Sequence, residues 1–509
     1  MKYLNGGSLQ NERTISSLQQ PVFAKPRSFG YPMIRTKIVA TVGPVTLNPD
    51  SLLALVDAGI SVARLNGAHA DIEWHRSAIS LIQTVLPGVP ILLDIPGRKI
   101  RTAWLAHEPK FEVGDRIVFT ADNSFDGTTK VPINDPQLYA ELKPGDVILA
   151  DDGTLRFEVE ELTVSDIICR AATRGQLGSR KGINVPFVTT GNYLISDTDQ
   201  KLIALAKQLA VDFVGISFVE SAAQVSSIRE LIRDKSPRIL AKIETSKGLD
   251  NLEEIIDAAD AIMIDRGDLS VETSIESVII DQKRIIERSR AKGKPVAIAT
   301  QLLHSMIHND FPTKAEIADI TNAVIDGCSA LMLSGETAIG RFPLEAVRTM
   351  RRIADAAFEH VQSRVQLTNG IRGTTASQAI EDAIAMLLLS LPITKVVVVT
   401  FSGYAARMIS ARMVPQPIFA ISSDAALARA LNLCSGVEGI HFKGQFERGS
   451  ADHIKACIRH LYALGKLEAS DLVLVTAAIY PRSGTRMNSI QIHKLSDLIE
   501  EFGWANRGT

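Results

Sequence analysis

The sequence predicts an α/β protein: a (β/α)8 TIM barrel, interrupted by a small inserted β-barrel lid domain and followed by an open α/β sheet domain. Three observations carry this reading. First, eight short apolar runs each end in polar or glycine residues: KIVATVG from Lys37, SVARLNG from Ser61, PILLDIPG from Pro90, DFVGISF from Asp212, RILAKIE from Arg238, AIMIDRGD from Ala261, PVAIATQ from Pro295 and ALMLSGE from Ala330. Near-continuous Val, Ile and Leu suit parallel strands buried on both faces. Second, helix-like segments separate most of the runs, and eight such units close a barrel. Third, 509 residues exceed the roughly 250 of a single barrel, so further domains are required. The runs end in Arg64, Asn66, Asp94, Lys242, Glu244, Asp268, Thr300 and Glu336. A barrel gathers such ends on one face, where active sites are built. That convergence argues for an enzyme.

Taken in order, residues 1–28 are rich in Ser, Gln and Asn without an apolar core, and are expected to be a tail or a clamp on a neighbouring subunit. Barrel sequence fills 29–101, where LNPDSLLALVDAG predicts a helix over Pro49–Ala58 with an Asp cap near its start and a glycine at its end. After Arg101 the pattern changes to short alternating runs (FEVGDRIVFT, TKVPIN, GDVILADDG, LRFEVEEL, DIICRAA) broken by turn residues. They predict an antiparallel β domain over 102–187, ending near KGINVP. An insertion in a βα loop lies on the active-site face, which makes it a lid. The barrel resumes over 188–362, with a helical DTDQKLIALAKQLA from Asp197. Over 363–509 the pattern restarts: TASQAIEDAIAMLLL and AARMISARM are helical, while KVVVVTFSG, PIFAISS, GIHFKG and DLVLVTAA read as strands. Those strand ends lack clustered acids and bases, so this domain is expected to bind or assemble.

A hydrophobic content of 46% with 22% charged residues is ordinary for a globular protein. A net charge of −2 gives no support for a nucleic-acid or membrane partner, and leaves a small anionic substrate open. No apolar stretch reaches the ~18 residues of a membrane span. Cys169, Cys328, Cys434 and Cys457 lack metal-type spacing, which predicts buried thiols in a reducing, cytoplasmic compartment.

The chemistry concentrates in KIETSKG (Lys242–Gly248) and DRGDLS (Asp265–Ser270). Glu244 and Asp268 are hard oxygen donors at adjacent strand ends, suited to Mg²⁺ or Mn²⁺. Lys242 lies two residues before Glu244, so on a strand both project to one side. An ammonium beside a two-carboxylate metal site can stabilise a phosphoryl group in transfer. A barrel-mouth salt bridge would explain either motif alone; together on neighbouring strands they favour the metal. Gly267 and Asp268 precede a helical turn whose amides can hold a carboxylate. Thr300 adds a hydroxyl at the next strand end, where a helix cap is the competing role. Arg64, in ARLNGAH with Asn66 and His69, is suited to a phosphate clamp, or to an ion pair at the rim. Arg98, Lys99 and Arg101 beside Asp94 suggest polyphosphate recognition or an exposed charged turn.

In this order, TKIVATVGP, ARLN-x-x-H, LLD-x-x-G-x-x-IRT, GSRKGINVP, KIE, RGDL, ATQLLHSM, PTKAEIADITNAVIDG and LMLSGETA resemble pyruvate kinase, from about Thr36 to Phe502. The resemblance implies phosphoryl transfer from phosphoenolpyruvate to ADP, a homotetramer, and a C-terminal effector domain. It implies Lys242 as the cation on the migrating phosphoryl group, Arg64 as the phosphate clamp, and Glu244 and Asp268 as metal ligands. Gly267, Asp268, Thr300 and Ser217 would hold the substrate, with Thr300 also near the enolate carbon. Asn66, His69, Arg101 and Lys181 would face the nucleotide or its metal, and Asp152 would close over the site.

Several positions depart from the family pattern. Its monovalent-cation site resembles Asn, Ser, Asp and Thr, but here the positions are Asn66, Ala68, Asp94 and Ile95. Lys99 stands where potassium-dependent members carry Glu. Two missing oxygen donors and one added ammonium predict activity without K⁺, with Lys99 as the surrogate cation. Pro96 and Ile339 replace lysines, and Asp265 replaces a small residue beside the carboxylate pocket. These changes weaken anion binding on electrostatic grounds unless Asp265 is paired, with Arg266 or a nearby arginine. A relative using metal-enolate chemistry on another phosphorylated or oxo-acid substrate is therefore an alternative, as is a non-catalytic scaffold. In the last domain only Ser402 and Gly403 match the family's effector-phosphate loop, with Arg482, Ser483 and Gly484 in a facing loop. A sugar monophosphate or no effector fits that remnant.

Overall fold

The computed structural model describes residues 35–97, 99–135, 138–151, 153–186, 195–362, 376–444, 446, 452–478 and 487–504. The expected N-terminal tail lies outside them, as do Arg98, Asp152, Arg482, Ser483 and Gly484. All eight apolar runs are strands: β1 (Lys37–Thr41), β2 (Val62–Asn66), β3 (Ile91–Ile95), β4 (Phe213–Ile216), β5 (Arg238–Ile243), β6 (Ala261–Asp265), β7 (Val296–Ala299) and β8 (Ala330–Leu333). Each pairs in parallel with the next, and β8 returns to β1 to close the barrel.

Side chains alternate across a strand, and here the alternation sorts two cores. Ile38, Ala40, Ala63, Ile239, Ala241, Ile262 and Ile264 pack outward against the helices. Val39, Val62, Leu92, Leu240, Ala261 and Met263 fill the barrel interior. Continuing the inward rows by two residues reaches Arg64 from Val62, Asp94 from Leu92, Lys242 from Leu240 and Asp265 from Met263. The same face is thus apolar toward the strand starts and ionic toward the strand ends.

The first helix spans Pro49–Ala58 as expected, but its cap is Asn48, whose side chain accepts from the Ser51 amide; Asp50 lies in the first turn. The correction follows from the proline, which fills the first helical position and leaves the preceding residue to cap. Gly59 ends the helix at φ 118°, a conformation that a side chain would strain.

The insertion is a seven-stranded sheet whose edges are joined by a bridge between Thr102 and Ile133. Its interior holds Phe119 and Phe157, ring centroids 5.3 Å apart. The strand leading in (Ile100–Arg101) pairs antiparallel with the strand leading out (Gly182–Asn184), so the lid hangs from a two-strand stalk. The C-terminal sheet has five strands in the order Val437–His441, Ile418–Ser422, Lys395–Val399, Leu472–Ala477 and Ser489–Lys494. The last is antiparallel and was not foreseen. It is a half-exposed edge whose SIQIHK alternates apolar with polar residues, a weaker signal than a buried run.

This domain seals the N-terminal end of the barrel. Ala430 and Leu433 join the barrel's interior cluster. Around them Lys37 Nζ donates to the Val437 carbonyl at 2.7 Å, Asp212 pairs with Arg429 at 2.9 Å, and Arg238 reaches the Ala426 carbonyl at 3.3 Å. All four cysteines are buried and free. Among the described residues no helix is long and apolar enough to cross a membrane.

Candidate active site

At the opposite end, the ionic residues of the inward rows line a cavity of about 430 Å³. Arg64, Asn66, Asp94, Lys99, Arg101, Ser217, Lys242, Glu244, Gly267, Asp268 and Thr300 all contribute to its wall. His69 and Lys181 do not. His69 is exposed beside the loop after β2, and its imidazole is held below the ordinary histidine value by partial burial and then by Arg101, Arg64 and Arg180. Lys181 stands in the lid, paired with Asp151 at 2.7 Å. Pro96 lines the cavity, whereas Ile339 is exposed and stands apart from it.

Three of the cations in this wall, Arg64, Lys99 and Lys242, meet four of its carboxylates, Asp94, Glu244, Asp265 and Asp268. The Arg64 guanidinium is fixed by two nitrogens on Asp94 Oδ2, both at 2.7 Å, and by the Thr41 hydroxyl at 3.0 Å. Asp94 fits because β4 carries Gly215 opposite it; a Cβ there would stand 1.8 Å from Asp94 Oδ1. Lys242 Nζ lies 2.7 Å from Glu244 Oε1, donates to Ser217 Oγ at 3.1 Å, and lies 3.5 Å from Asp265 Oδ2. Lys99 Nζ spans both oxygens of Asp268, at 2.7 and 2.8 Å. Its ion pair is with this acid and not with Asp94, the acid of the expected monovalent-cation site.

Burial and charge oppose each other throughout the cluster. Burial pushes the Glu244 carboxyl up to about 7, with Lys242 pulling down and Asp265 and Asp268 pushing up. Asp268 is likewise raised by burial and then by Asp265, against Lys99. Burial also works against Asp265, but Lys242, Lys99 and Arg64 hold it below the ordinary carboxylate value. The Lys242 ammonium is raised despite its burial, because Glu244, Asp265 and Asp94 surround it.

Thr300 is held in a left-handed backbone conformation, φ 67°, which is costly for a β-branched residue. Its carbonyl accepts from Arg266 at 2.8 Å, and Arg266 is anchored on Asp319 at 2.6 Å. Arg266 therefore does not neutralise Asp265. The Thr300 hydroxyl accepts from the Gly267 amide at 2.9 Å and faces Asp265 Oδ1 at 3.1 Å and the Ala299 carbonyl at 2.6 Å. It satisfies the Gly267 amide of the neighbouring unit while facing the cavity.

The sequence reading missed Phe218, Gln301, His304 and Ser334 in the wall. Phe218 positions the ionic groups: its amide donates to Glu244 Oε2 at 2.7 Å, and the Lys99 ammonium lies 5.5 Å from its ring centroid. Its place right after Ser217, at the end of the fourth run, was the available signal.

Comparison with known proteins finds two family models in succession: the pyruvate kinase barrel domain over residues 33–347 and the pyruvate kinase alpha/beta domain over 378–493. The chain belongs to the pyruvate kinase family. As a member it is a phosphotransferase. It is 34% identical to the pyruvate kinase of Bacillus licheniformis over 92% of this chain and 81% of that one. Against the pyruvate kinase of Thermotoga maritima the identity is 35%, covering 91% of this chain and all of the other. The crystal structure of a pyruvate kinase from Cryptosporidium parvum superposes with a TM-score of 0.80 at 29% identity, covering 92% of this chain and 99% of that one. Pyruvate kinases as a family use a divalent metal. One ligand atom each from Glu244, Asp265 and Asp268 lie within 4.8 Å of one another, so the donor set fits such an ion.

Proposed function

We propose that this chain transfers the phosphoryl group of phosphoenolpyruvate to ADP, giving pyruvate and ATP, with Mg²⁺ or Mn²⁺ and without K⁺. The observation that carries the reading is the Lys242–Glu244 pair at 2.7 Å beside Asp268, at the mouth of a pyruvate kinase barrel. A divalent ion held by Glu244 and Asp268 would supply Lewis-acid stabilisation of developing negative charge. The chain's own residues do the rest. Lys242 offers its ammonium to the phosphoryl group as it moves from the enol oxygen to the ADP oxygen. Arg64, with its plane set by Asp94 and Thr41, clamps the phosphate. Thr300, Ser217 and the backbone at Gly267 and Asp268 orient the substrate carboxylate. The enolate carbon left behind takes a proton from water on the Thr300 side. Asn66, His69, Arg101 and Lys181 serve the nucleotide, which the lid covers. Lys99, with its ammonium on Asp268 and not on Asp94, supplies from elsewhere in the cavity the positive charge that potassium gives other members, since Ala68 and Ile95 offer no side-chain oxygen. A homotetramer in the cytoplasm completes the reading, on family grounds.

A coupled assay of pyruvate formation from phosphoenolpyruvate and ADP, run with and without K⁺ at constant ionic strength, tests both parts. Metal-dependent turnover at rates within about twofold is expected. No pyruvate would overturn the reaction, and a strong K⁺ requirement would overturn the role of Lys99.

One observation favours a second reading. Asp265 Oδ1 occupies the Thr300 hydroxyl that a substrate carboxylate would use. Metal-enolate chemistry on another oxo acid would then show as exchange of pyruvate methyl protons with solvent, without nucleotide and without phosphoryl transfer.

A further inference from the structure

We propose that Asp265 is a third carboxylate ligand of the divalent ion, and that loading the ion frees Thr300 for the substrate carboxylate. This rests on the metal-dependent reading above and names the residue that couples metal to substrate.

Three observations converge on it. The first is placement. Asp265 lies on the inward row of β6 after Met263, and is buried at the floor of the cavity with Glu244. The second is spacing. Ligand oxygens of Glu244, Asp265 and Asp268 already lie within 4.8 Å of one another. Around Mg²⁺ with bonds of about 2.1 Å, neighbouring donors stand roughly 3 Å apart, so closing on an ion needs only small side-chain movements. Glu244 is fully buried, and among the described residues its Oε1 meets only the Lys242 ammonium, at 2.7 Å. The third is charge. Arg64 pairs with Asp94 and Lys99 with Asp268, while Lys242 is shared between Glu244 at 2.7 Å and Asp265 at 3.5 Å, so these three cations face four carboxylates. A cation is what the cluster lacks.

The present partners of Asp265 are ones it can leave. Its contact with Lys242 is 3.5 Å, and the single Thr300 proton is shared between Asp265 Oδ1 at 3.1 Å and the Ala299 carbonyl at 2.6 Å. A substrate carboxylate cannot share Thr300 with a second carboxylate without strong like-charge repulsion in a buried site. Turning Asp265 onto the ion removes that charge from Thr300. Metal must therefore bind before the substrate carboxylate seats. Asp265 thereby turns a residue that should repel the substrate into one that makes its binding conditional on metal.

The test is Mn²⁺ binding to the full-length protein without substrate, followed by electron paramagnetic resonance, for wild type, Asp265→Asn, Asp265→Ala and Glu244→Gln. Calorimetric titration of phosphoenolpyruvate with and without Mn²⁺ accompanies it, and circular dichroism checks that each variant is folded. Both Asp265 variants are expected to weaken Mn²⁺ at least tenfold, and to bind phosphoenolpyruvate more tightly than wild type when metal is withheld. Mn²⁺ affinity within twofold of wild type in the Asp265 variants, with Glu244→Gln impaired, overturns the third ligand and leaves the metal-dependent reaction standing. Unchanged metal-free substrate binding overturns the coupling. A wild-type protein that binds no Mn²⁺ overturns this inference and the metal-dependent reading together.

Discussion

At the residue scale, Lys242 is the side chain whose position does most to define the site. Its ammonium is buried, and Glu244, Asp265 and Ser217 are all within reach. Replacing it by methionine keeps the stem and removes the charge. If that charge acts on the phosphoryl group in flight, Lys242→Met lowers kcat by about 10²–10³, the usual effect of removing one preorganised transition-state contact. The Kd for Mn²⁺ should change far less, because Glu244 and Asp268 remain. Steady-state kinetics with parallel Mn²⁺ titration check this; unchanged kcat removes Lys242 from the mechanism. The variant also leaves Glu244 buried without its cation, so a lower melting temperature is expected in metal-free buffer.

Residue identity and spacing made much of this site legible. Lys242 and Glu244 share a strand face by parity, and the same counting from Met263 places Asp265 beside them. What parity does not reveal is which cation meets which acid. The sequence makes Lys99 a surrogate for the monovalent cation without naming its acid; the structure pairs it with Asp268, because its loop turns at Gly97 (φ 62°) and follows the lid stalk across the cavity. Phe218 escaped notice for a related reason: it acts through its amide and ring face, and neither leaves a signature in residue type.

At the element scale, the lid was visible as a change of period, from buried runs separated by helices to short alternating strands. Its closure by the Thr102–Ile133 bridge was not visible, since one long-range residue pair has no local pattern. Nor was its attachment to the barrel. Asn184, in the strand leading out of the lid, donates to Glu272 Oε1 at 2.9 Å, at the end of the helix Arg266–Glu272 that carries Asp268. Burial pushes the Glu272 carboxyl up to about 7, against the Asn184 hydrogen bond. An acid whose folded value exceeds its unfolded value stabilises the fold below the unfolded value, and that contribution is lost as pH rises through the folded one. The window here runs from 4.5 to about 7. The ionised side chain costs roughly 3 kcal/mol above it. Glu272→Gln keeps the acceptor for Asn184 and removes the charge. Its melting temperature should exceed that of wild type at pH 8, and the gap should close toward pH 4.5. A constant gap across this range would show that Glu272 does not titrate in the lid attachment.

At the scale of the whole molecule, the two ends of the barrel carry opposite devices. One end is an open ionic cavity, and the other is plugged by Ala430 and Leu433 of the C-terminal domain. The plug could not be read from sequence, because both residues look like ordinary members of a helical segment until the barrel end is placed against them. Lys37 is the polar half of this seal. It opens β1, is buried, and donates to Val437 at the far side of the junction. Burial drags its ammonium down to about 8, with Glu438 partly restoring it. For a base whose folded value lies below its unfolded value, the unfolded chain holds more protons between the two. Stability from this group is therefore full above the unfolded value of 10.5 and is lost as pH falls through about 8. The charge costs roughly 3 kcal/mol at neutral pH. Lys37→Met removes that cost and also the bond to Val437, leaving one carbonyl unsatisfied at about 1–3 kcal/mol. The two nearly cancel at pH 7, so the variant should melt within a few degrees of wild type there and fall progressively below it between pH 8 and 10.5. Calorimetric scans of both proteins across that range decide the matter. If instead the two curves stay parallel, Lys37 is not titrating at the junction, and the seal is held by the apolar plug and the Asp212–Arg429 pair alone.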